Sequence, residues 1–407
     1  MHKENLWTKD FISITAISFF IFFAFYVLIA VLPLYLVGTL GAGADKVGLV
    51  VTLFLLAAII IRPFAGKLLS KGSKKKILIY SATLFLVGMM LYPLATNIWA
   101  LLILRVFHGF TFGIITTVKG TICAEIIPAS RRGEDISYFS MAMSLAMVFG
   151  PYLGLILANV NAYNTAFIIC IIISAVNVVL AMYMKVPEVS EKPNRLPEKG
   201  KFSWNDIFDK KAAPFALTTF ILACSYSGVS AFLSLYAKDL NLVETASYFF
   251  IVFAVFVLIS RPFTGRWSDQ FGTKVIIYPC MILFAVGMFF LSQAHTSIMI
   301  LIAGALIGIG YGSLSPIFQT QTISSVEPHR VGIANSLFFN SIDAGMAIGA
   351  FFFGIIASVS NYSNIYLVGV ILIVVAGLIY SALVQKIKIQ ELLPDVTFVG
   401  ADEEATL

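Results

Sequence analysis

The sequence predicts an all-α integral membrane protein: twelve transmembrane helices in two six-helix bundles related by pseudo-two-fold symmetry. Three observations predict it. Of the 407 residues, 59% are hydrophobic and only 12% are charged. An ordinary soluble domain carries about 25% charge, so too little polar surface is present to coat a globule in water. Twelve apolar runs follow one another with short polar breaks, each near the roughly 20 residues a helix needs to cross the hydrocarbon. The two halves of the chain also repeat each other. A soluble enzyme is excluded on this composition. So is a nucleic-acid partner, despite a net charge of +6, because the basic residues lie between apolar runs, where they orient a chain in the bilayer.

The first run, Phe11 to Val37, follows Lys3, Glu4, Lys9 and Asp10 and is longer than the apolar core of a signal peptide. It is read as a span that stays in place. The others are expected at 47–66, 77–95, 98–124, 135–158, 164–184, 213–237, 246–264, 275–294, 297–324, 332–358 and 365–385. Lys185 to Lys211 interrupts the series with Pro187, Pro193, Pro197 and charges of both signs, the mark of a solvated linker. The predicted organisation is therefore a bundle over 1–184, a cytoplasmic linker over 185–212, a second bundle over 213–385 and a cytoplasmic tail over 386–407. Phe202 to Phe208 is expected to lie as an interfacial helix.

Charge fixes the expected orientation. Lys67 to Lys76, Arg131-Arg132, the linker, Arg266 to Lys274, Arg330 and Lys386/Lys388 share the side of the N-terminus, while Lys46 and Lys238 stand opposite. By the positive-inside rule both termini are cytoplasmic, in the cell membrane of a bacterium. Cys123, Cys170, Cys224 and Cys280 all sit in apolar runs without CxxC spacing, as buried thiols do. No metal-ligand spacing, phosphate loop or cofactor motif is found.

The repeat is specific in register. Arg62-Pro63-Phe64-Ala65-Gly66 ends span two and Arg261-Pro262-Phe263-Thr264-Gly265 ends span eight. Gly109 answers Gly308, Gly150 answers Gly349, and Leu34-Tyr35 answers Leu235-Tyr236. Six spans per copy give both copies the same orientation, which suits a central site between two rocking bundles.

Several residues carry chemistry. Asp343, about eleven residues into span eleven, is the one acid placed deep in a span, where a carboxylate is costly and functional by default. Arg105 lies about 10 Å inside the outer end of span four, and His108 one turn on is able to titrate near neutrality. Lys119 falls close to four turns past Arg105, with Phe112 and Thr116 between, so span four is expected to present a positive stripe to a cavity. Snorkelling of Lys119 to the cytoplasmic surface is the other reading. Tyr26, Tyr226 and Tyr311 are candidate cavity aromatics. Gly150-Pro151-Tyr152-Leu153-Gly154 in span five combines a helix-kinking proline with glycines that permit close contact.

The loop Gly265-Arg266-Trp267-Ser268-Asp269-Gln270-Phe271-Gly272-Thr273-Lys274 resembles the cytoplasmic signature of the major facilitator superfamily. Its N-terminal copy from Gly66 is degenerate, with Ser70 where the family has aspartate. Asp269 is expected to latch onto the start of a helix in the other bundle, and Gly150, Pro151 and Gly154 resemble the GPxxG core of its antiporters. Arg105 and Gly109 match the RxxxG pattern of its proton-coupled exporters, whose arginine is linked to proton transfer. The resemblance covers the whole chain. It implies alternating access, with the drug:proton antiporter-like branch as the best match and a monomer exporting a small amphipathic molecule against protons. On it, Arg62, Gly66, Arg261, Gly265, Asp269 and Gly272 serve gating, and Asp343, Arg105 and His108 serve proton coupling. Two alternatives stay open: a proton symporter or facilitator for a small metabolite, anionic if two interior cations outweigh one acid, and a non-transporting scaffold or sensor.

Overall fold

Apolar residues on every side of a run leave a helix no face suited to water, and among the described residues the chain answers with helices alone. The computed structural model describes residues 8–126, 132–186, 209–327 and 330–392. Among the described residues it has twelve α-helices: α1 Lys9–Gly38, α2 Ala44–Lys71, α3 Lys74–Leu91, α4 Ile98–Ile126, α5 Arg132–Asn159, α6 Tyr163–Tyr183, α7 Ala213–Asp239, α8 Val243–Phe271, α9 Thr273–Ser292, α10 Ser297–Ser324, α11 Val331–Val359 and α12 Tyr362–Leu392. Eleven are long and apolar enough to cross a membrane. In α5 the apolar stretch among the described side chains is Leu145–Asn159. The expected interfacial helix at 202–208 lies outside the described residues.

Local signals set the ends. Thr8 caps α1 by accepting from the Phe11 amide, and Thr296 caps α10 by accepting from Met299, each satisfying an orphan donor of a first turn. Gly272 joins α8 to α9 at φ +86°, a conformation open to glycine alone at little cost. The short 3-10 turn Tyr92–Leu94 closes α3 around Pro93.

Packing reproduces the repeat. Contacts of α1 with α5 and α6, α2 with α4, and α3 with α4 and α6 recur as α7 with α11 and α12, α8 with α10, and α9 with α10 and α12. The equivalences reach single atoms. A methyl on Gly109 would strike the Phe54 carbonyl and one on Gly308 the Phe253 carbonyl. The Tyr35 hydroxyl donates to Ala95 O and that of Tyr236 to Ala294 O, each at 3.3 Å. The most deeply buried helices are α1 and α7, while large apolar side chains such as Ile103, Tyr183 and Leu378 project outward. Such an apolar exterior suits a hydrocarbon solvent.

An even number of helices puts the start of α1 and the end of α12 on one face, here termed the near face. At the opposite, far face the halves are joined. α2 and α11 run antiparallel, so close that a methyl on Gly48 would strike the Ala350 carbonyl, and Thr52 donates to Ala347 O at 2.6 Å. Asn159 of α5 reaches Val243 O and Ser247 Oγ of α8 at 3.4 Å. Toward the near face the α2–α11 seam ends: a methyl on Gly66 or Gly332 would meet nothing within 4 Å.

Candidate functional site

The α2–α11 seam ends on an ion pair. Arg62 Nη2 lies 2.5 Å from Asp343 Oδ2, off the line of a hydrogen bond, and Arg62 Nη1 donates to Asn340 Oδ1 at 2.9 Å. Asn340 and Asp343 are three apart, so one face of α11 presents both to the guanidinium. Arg62 stands about 14 Å from the near end of α2 and Asp343 about 18 Å from that of α11, deep in a hydrocarbon layer about 30 Å thick. Their side chains are 19% and 18% exposed, so the pair is mostly but not wholly withdrawn from solvent. The acid thus has a partner, and it comes from the other half. At the repeat position of Asp343, α5 carries Ser144, so the acid occurs in one copy alone.

Around the pair, three tyrosines converge from both halves. Tyr226 of α7 stacks on Tyr311 of α10 with centroids 4.1 Å apart and planes 7° from parallel. Tyr26 of α1 stacks on Phe22 at 6.4 Å. Tyr26 and Tyr311 lie within electrostatic reach of Asp343, and Tyr226 is a near neighbour of both tyrosines. Among the described residues nothing forms a hydrogen bond with these three hydroxyls, nor is any of them shut off from solvent. They are polar groups available to something that enters.

Lys119 belongs to the same neighbourhood. It is 4% exposed, its Nζ is 2.5 Å from Ser18 Oγ of α1, and it lies 4.3 Å from the Phe22 ring centroid and 5.1 Å from that of Phe139. It does not snorkel to the near face, which corrects that reading. The Thr116 hydroxyl turns back to Phe112 O and Gly113 O of its own helix.

The positive stripe expected along α4 does not form. Arg105 is 1% exposed and faces α2: Nε donates to Val50 O at 3.1 Å, Nη1 to the Tyr92 hydroxyl at 3.1 Å, and the guanidinium sits 4.1 Å over the Phe54 ring. The Tyr92 hydroxyl is 3.0 Å from His108 Nδ1, and the imidazole packs 4.3 Å from the Phe85 ring. Arg105 and His108 are thus enclosed inside the first six helices, away from the gap they were expected to face. Phe112, 2% exposed, is enclosed there too, stacked on Phe25 at 5.2 Å. The physical reason is the 40° between Arg105 and Lys119 around the helix, enough to aim one at α2 and the other at α1 and α5.

The motif residues fall in three places. Gly150 and Gly154 press α5 onto α1, against Tyr26 Cβ and the Val27 carbonyl, with Pro151 between them inside the helix. Arg261 holds the place on α8 that Arg62 holds on α2. Gly66 and Gly265 lie within the near-face turns of α2 and α8, and Gly272 at the junction with α9. The side chains of Ser70 and Asp269 lie outside the described residues, so the expected latch does too. Near-face pairs instead close each half on itself: Lys74 with Glu125 at 2.5 Å and Arg330 with Asp209 at 2.6 Å. The four cysteines are buried and none is in a disulfide.

Sequence reasoning missed Tyr92, Ser18, Thr52 and Asn340, and above all the Arg62–Asp343 partnership. The signal for that pair was present. In a chain with one deep acid, the arginine ending span two is the cation at matching depth on an antiparallel helix.

Comparison with known proteins agrees with this architecture. The family model described as Major Facilitator Superfamily matches residues 14–350, and matches again over 215–394. An uncharacterised MFS-type transporter of Methanocaldococcus jannaschii is 28% identical over 84% of this chain and 89% of its own length. A homologue of the multi-drug resistance efflux pump PmrA from Lactococcus lactis is 25% identical over 93% of this chain and 95% of its own. The multidrug resistance protein MdtG of Escherichia coli is 25% identical over 86% and 88%. Among solved structures, a bacterial homologue of the human lysosomal transporter Spinster, inward-facing and unoccupied, superposes with a TM-score of 0.75 at 14% identity, covering 93% of this chain and 97% of that one. The nucleoside transporter NupG gives 0.72 at 13% over 92% and 99%. These two likenesses bear on fold.

Proposed function

Because the chain belongs to the major facilitator superfamily, and is a multi-pass transporter of a small molecule rather than an enzyme, we propose that it exports a small amphipathic molecule in exchange for protons. It does so by alternating access, as a monomer of the drug:proton antiporter-like branch in a bacterial cell membrane. The multidrug names of the relatives support export. The basic residues on the near-face side support a cytoplasmic near face, and hence cytoplasmic termini, linker (185–212) and tail (386–407) beside bundles over 1–184 and 213–385. On that orientation the far-face seam makes the state seen here inward-facing.

One observation carries the coupling: Arg62 and Asp343 bind each other across the two halves at mid-depth. Protonating Asp343 removes the attraction, so the relation between the halves depends on a proton. A proton reaches Asp343 from outside while the far face is open, and the neutral acid, free of Arg62, passes with the rocking halves to the inward-facing state. Loss of the proton to the cytoplasm restores the pair. Arg62, Gly66, Arg261, Gly265, Asp269 and Gly272 govern the rocking, with Gly150, Pro151 and Gly154 as the flexible part of α5. Arg105 and His108 act at most through Tyr92 on the packing of α4 against α2. Tyr26, Thr116, Lys119, Tyr226 and Tyr311 line the passage.

Reconstituted vesicles with an imposed pH gradient test this. Asp343→Asn is expected to abolish gradient-driven movement while substrate binding remains measurable. Full gradient-driven activity in Asp343→Asn defeats the coupling role.

A further inference from the structure

Resting on the transporter reading above, we infer that the interior site is built for a small amphipathic anion: a carboxylate or similar monoanion seated at Lys119, its flat apolar body lying along Phe22 and Tyr26 toward the Arg62–Asp343 pair.

The argument begins with charge. Within this neighbourhood the described residues supply two cations, Arg62 and Lys119, and one anion, Asp343. Asp343 is engaged by Arg62, which leaves Lys119 without a counter-charge among the described residues. An ammonium has three N–H donors, and the one partner found for this one is the Ser18 hydroxyl. A cation with a single neutral oxygen partner and 4% exposure is incompletely solvated, and an unpaired buried charge is costly. An anionic group from outside the chain supplies what is missing.

The surroundings select the rest of the molecule. Phe22 and Phe139 flank the ammonium, and Phe22 leads to Tyr26 by ring stacking. Aromatic faces accept flat apolar groups. Beyond Tyr26 lie the unengaged hydroxyls of Tyr226 and Tyr311, ready for a polar substituent. A cationic ligand fares worse here. It would have to take Asp343 from Arg62, leaving a guanidinium and an ammonium both unpaired beside it.

A purely structural Lys119, tying α1 to α4, makes a different prediction, and a charge-swapped series separates the two. The purified full chain in detergent at neutral pH is titrated with 1-naphthoate, 1-naphthylmethylammonium and 1-naphthalenemethanol, which share a ring and differ in charge. Wild type is expected to bind the naphthoate at least tenfold more tightly than the ammonium compound. Lys119→Met should erase that advantage while leaving the alcohol within twofold, whereas Asp343→Asn, which leaves Lys119 in place, should keep the preference for the naphthoate. Equal or tighter binding of the ammonium compound overturns the anion site. So does absence of naphthoate binding at millimolar concentration, or a Lys119→Met variant that weakens all three together. If Lys119→Met does not fold, the wild-type preference and the Asp343→Asn response decide the matter. Gradient-driven movement of 1-naphthylmethylammonium in vesicles, with no naphthoate binding, would sink the anion class and leave proton-coupled export standing. Naphthoate binding without gradient-driven movement of any compound would do the reverse.

Discussion

Replacing Gly48 with valine is expected to open the far face. In the structure a Cβ at Gly48 would strike the Ala350 carbonyl oxygen and sit 3.1 Å from its carbon and 3.3 Å from Gly354 Cα. All three are backbone atoms of α11, so no side chain is free to swing aside and the helices themselves must part. Overpacking of this kind costs about 1–3 kcal/mol. The cost falls on the far-closed state alone, because once α2 and α11 separate the valine has room. Taking about 2 kcal/mol, the equilibrium moves roughly 30-fold toward the far-open state. Thr52→Cys reports it. Thr52 lies in the seam, 7% exposed, and the four native cysteines are buried, so background labelling is low. Alkylation of Cys at 52 by a membrane-impermeant maleimide should quicken by about that factor when Gly48→Val is added. Gly332→Val on the same α11, where a Cβ meets nothing within 4 Å, should leave the rate unchanged. Equal rates with and without Gly48→Val would refute the seam as the element that closes this face.

Two further outcomes are expected. Tyr92→Phe removes the hydroxyl shared by Arg105 and His108, leaving buried polar atoms without partners at about 1–3 kcal/mol. A thermal-unfolding assay of the purified protein should show a lower midpoint, with the preference among naphthyl compounds unmoved, and a changed preference would mean that this network reaches the transport path. Gly272→Ala forces a Cβ onto a backbone at φ +86°, a strain of order 1–3 kcal/mol. It should lower the same midpoint, and an unchanged midpoint would show that the α8–α9 junction relaxes freely.

How much of this was legible in the sequence follows from what each signal measures. Run length and polarity gave all twelve helices, since crossing hydrocarbon imposes a length on each segment. The register of the repeat was readable as well, and the paired contacts of Gly109 with Phe54 and Gly308 with Phe253 bear it out. The depth of Asp343 came from counting along one helix. Its partner did not, because Arg62 is joined to it by the antiparallel meeting of helices from different halves, which no local pattern encodes. The enclosure of Arg105 was hidden for a related reason. Polarity marks a helix face as unsuited to lipid, yet it does not distinguish a neighbouring helix from a wet gap. A long stem permits snorkelling, so the sequence leaves Lys119 open to both the surface and a cavity. Ser18 and the rings of Phe22 and Phe139, all on helices other than its own, hold it inward instead.

A lone carboxylate also constrains the driving force. Since Ser144 replaces it in the other half, the proposed exchange, run through Asp343, would take one H⁺ inward per turn. Sending a monoanion outward in the same turn shifts two elementary charges across the bilayer in the same electrical sense. At about 2.3 kcal/mol per charge for each 100 mV, the membrane voltage then contributes roughly 4.6 kcal/mol per 100 mV, and the pump would keep working in surroundings where inner and outer acidity are equal.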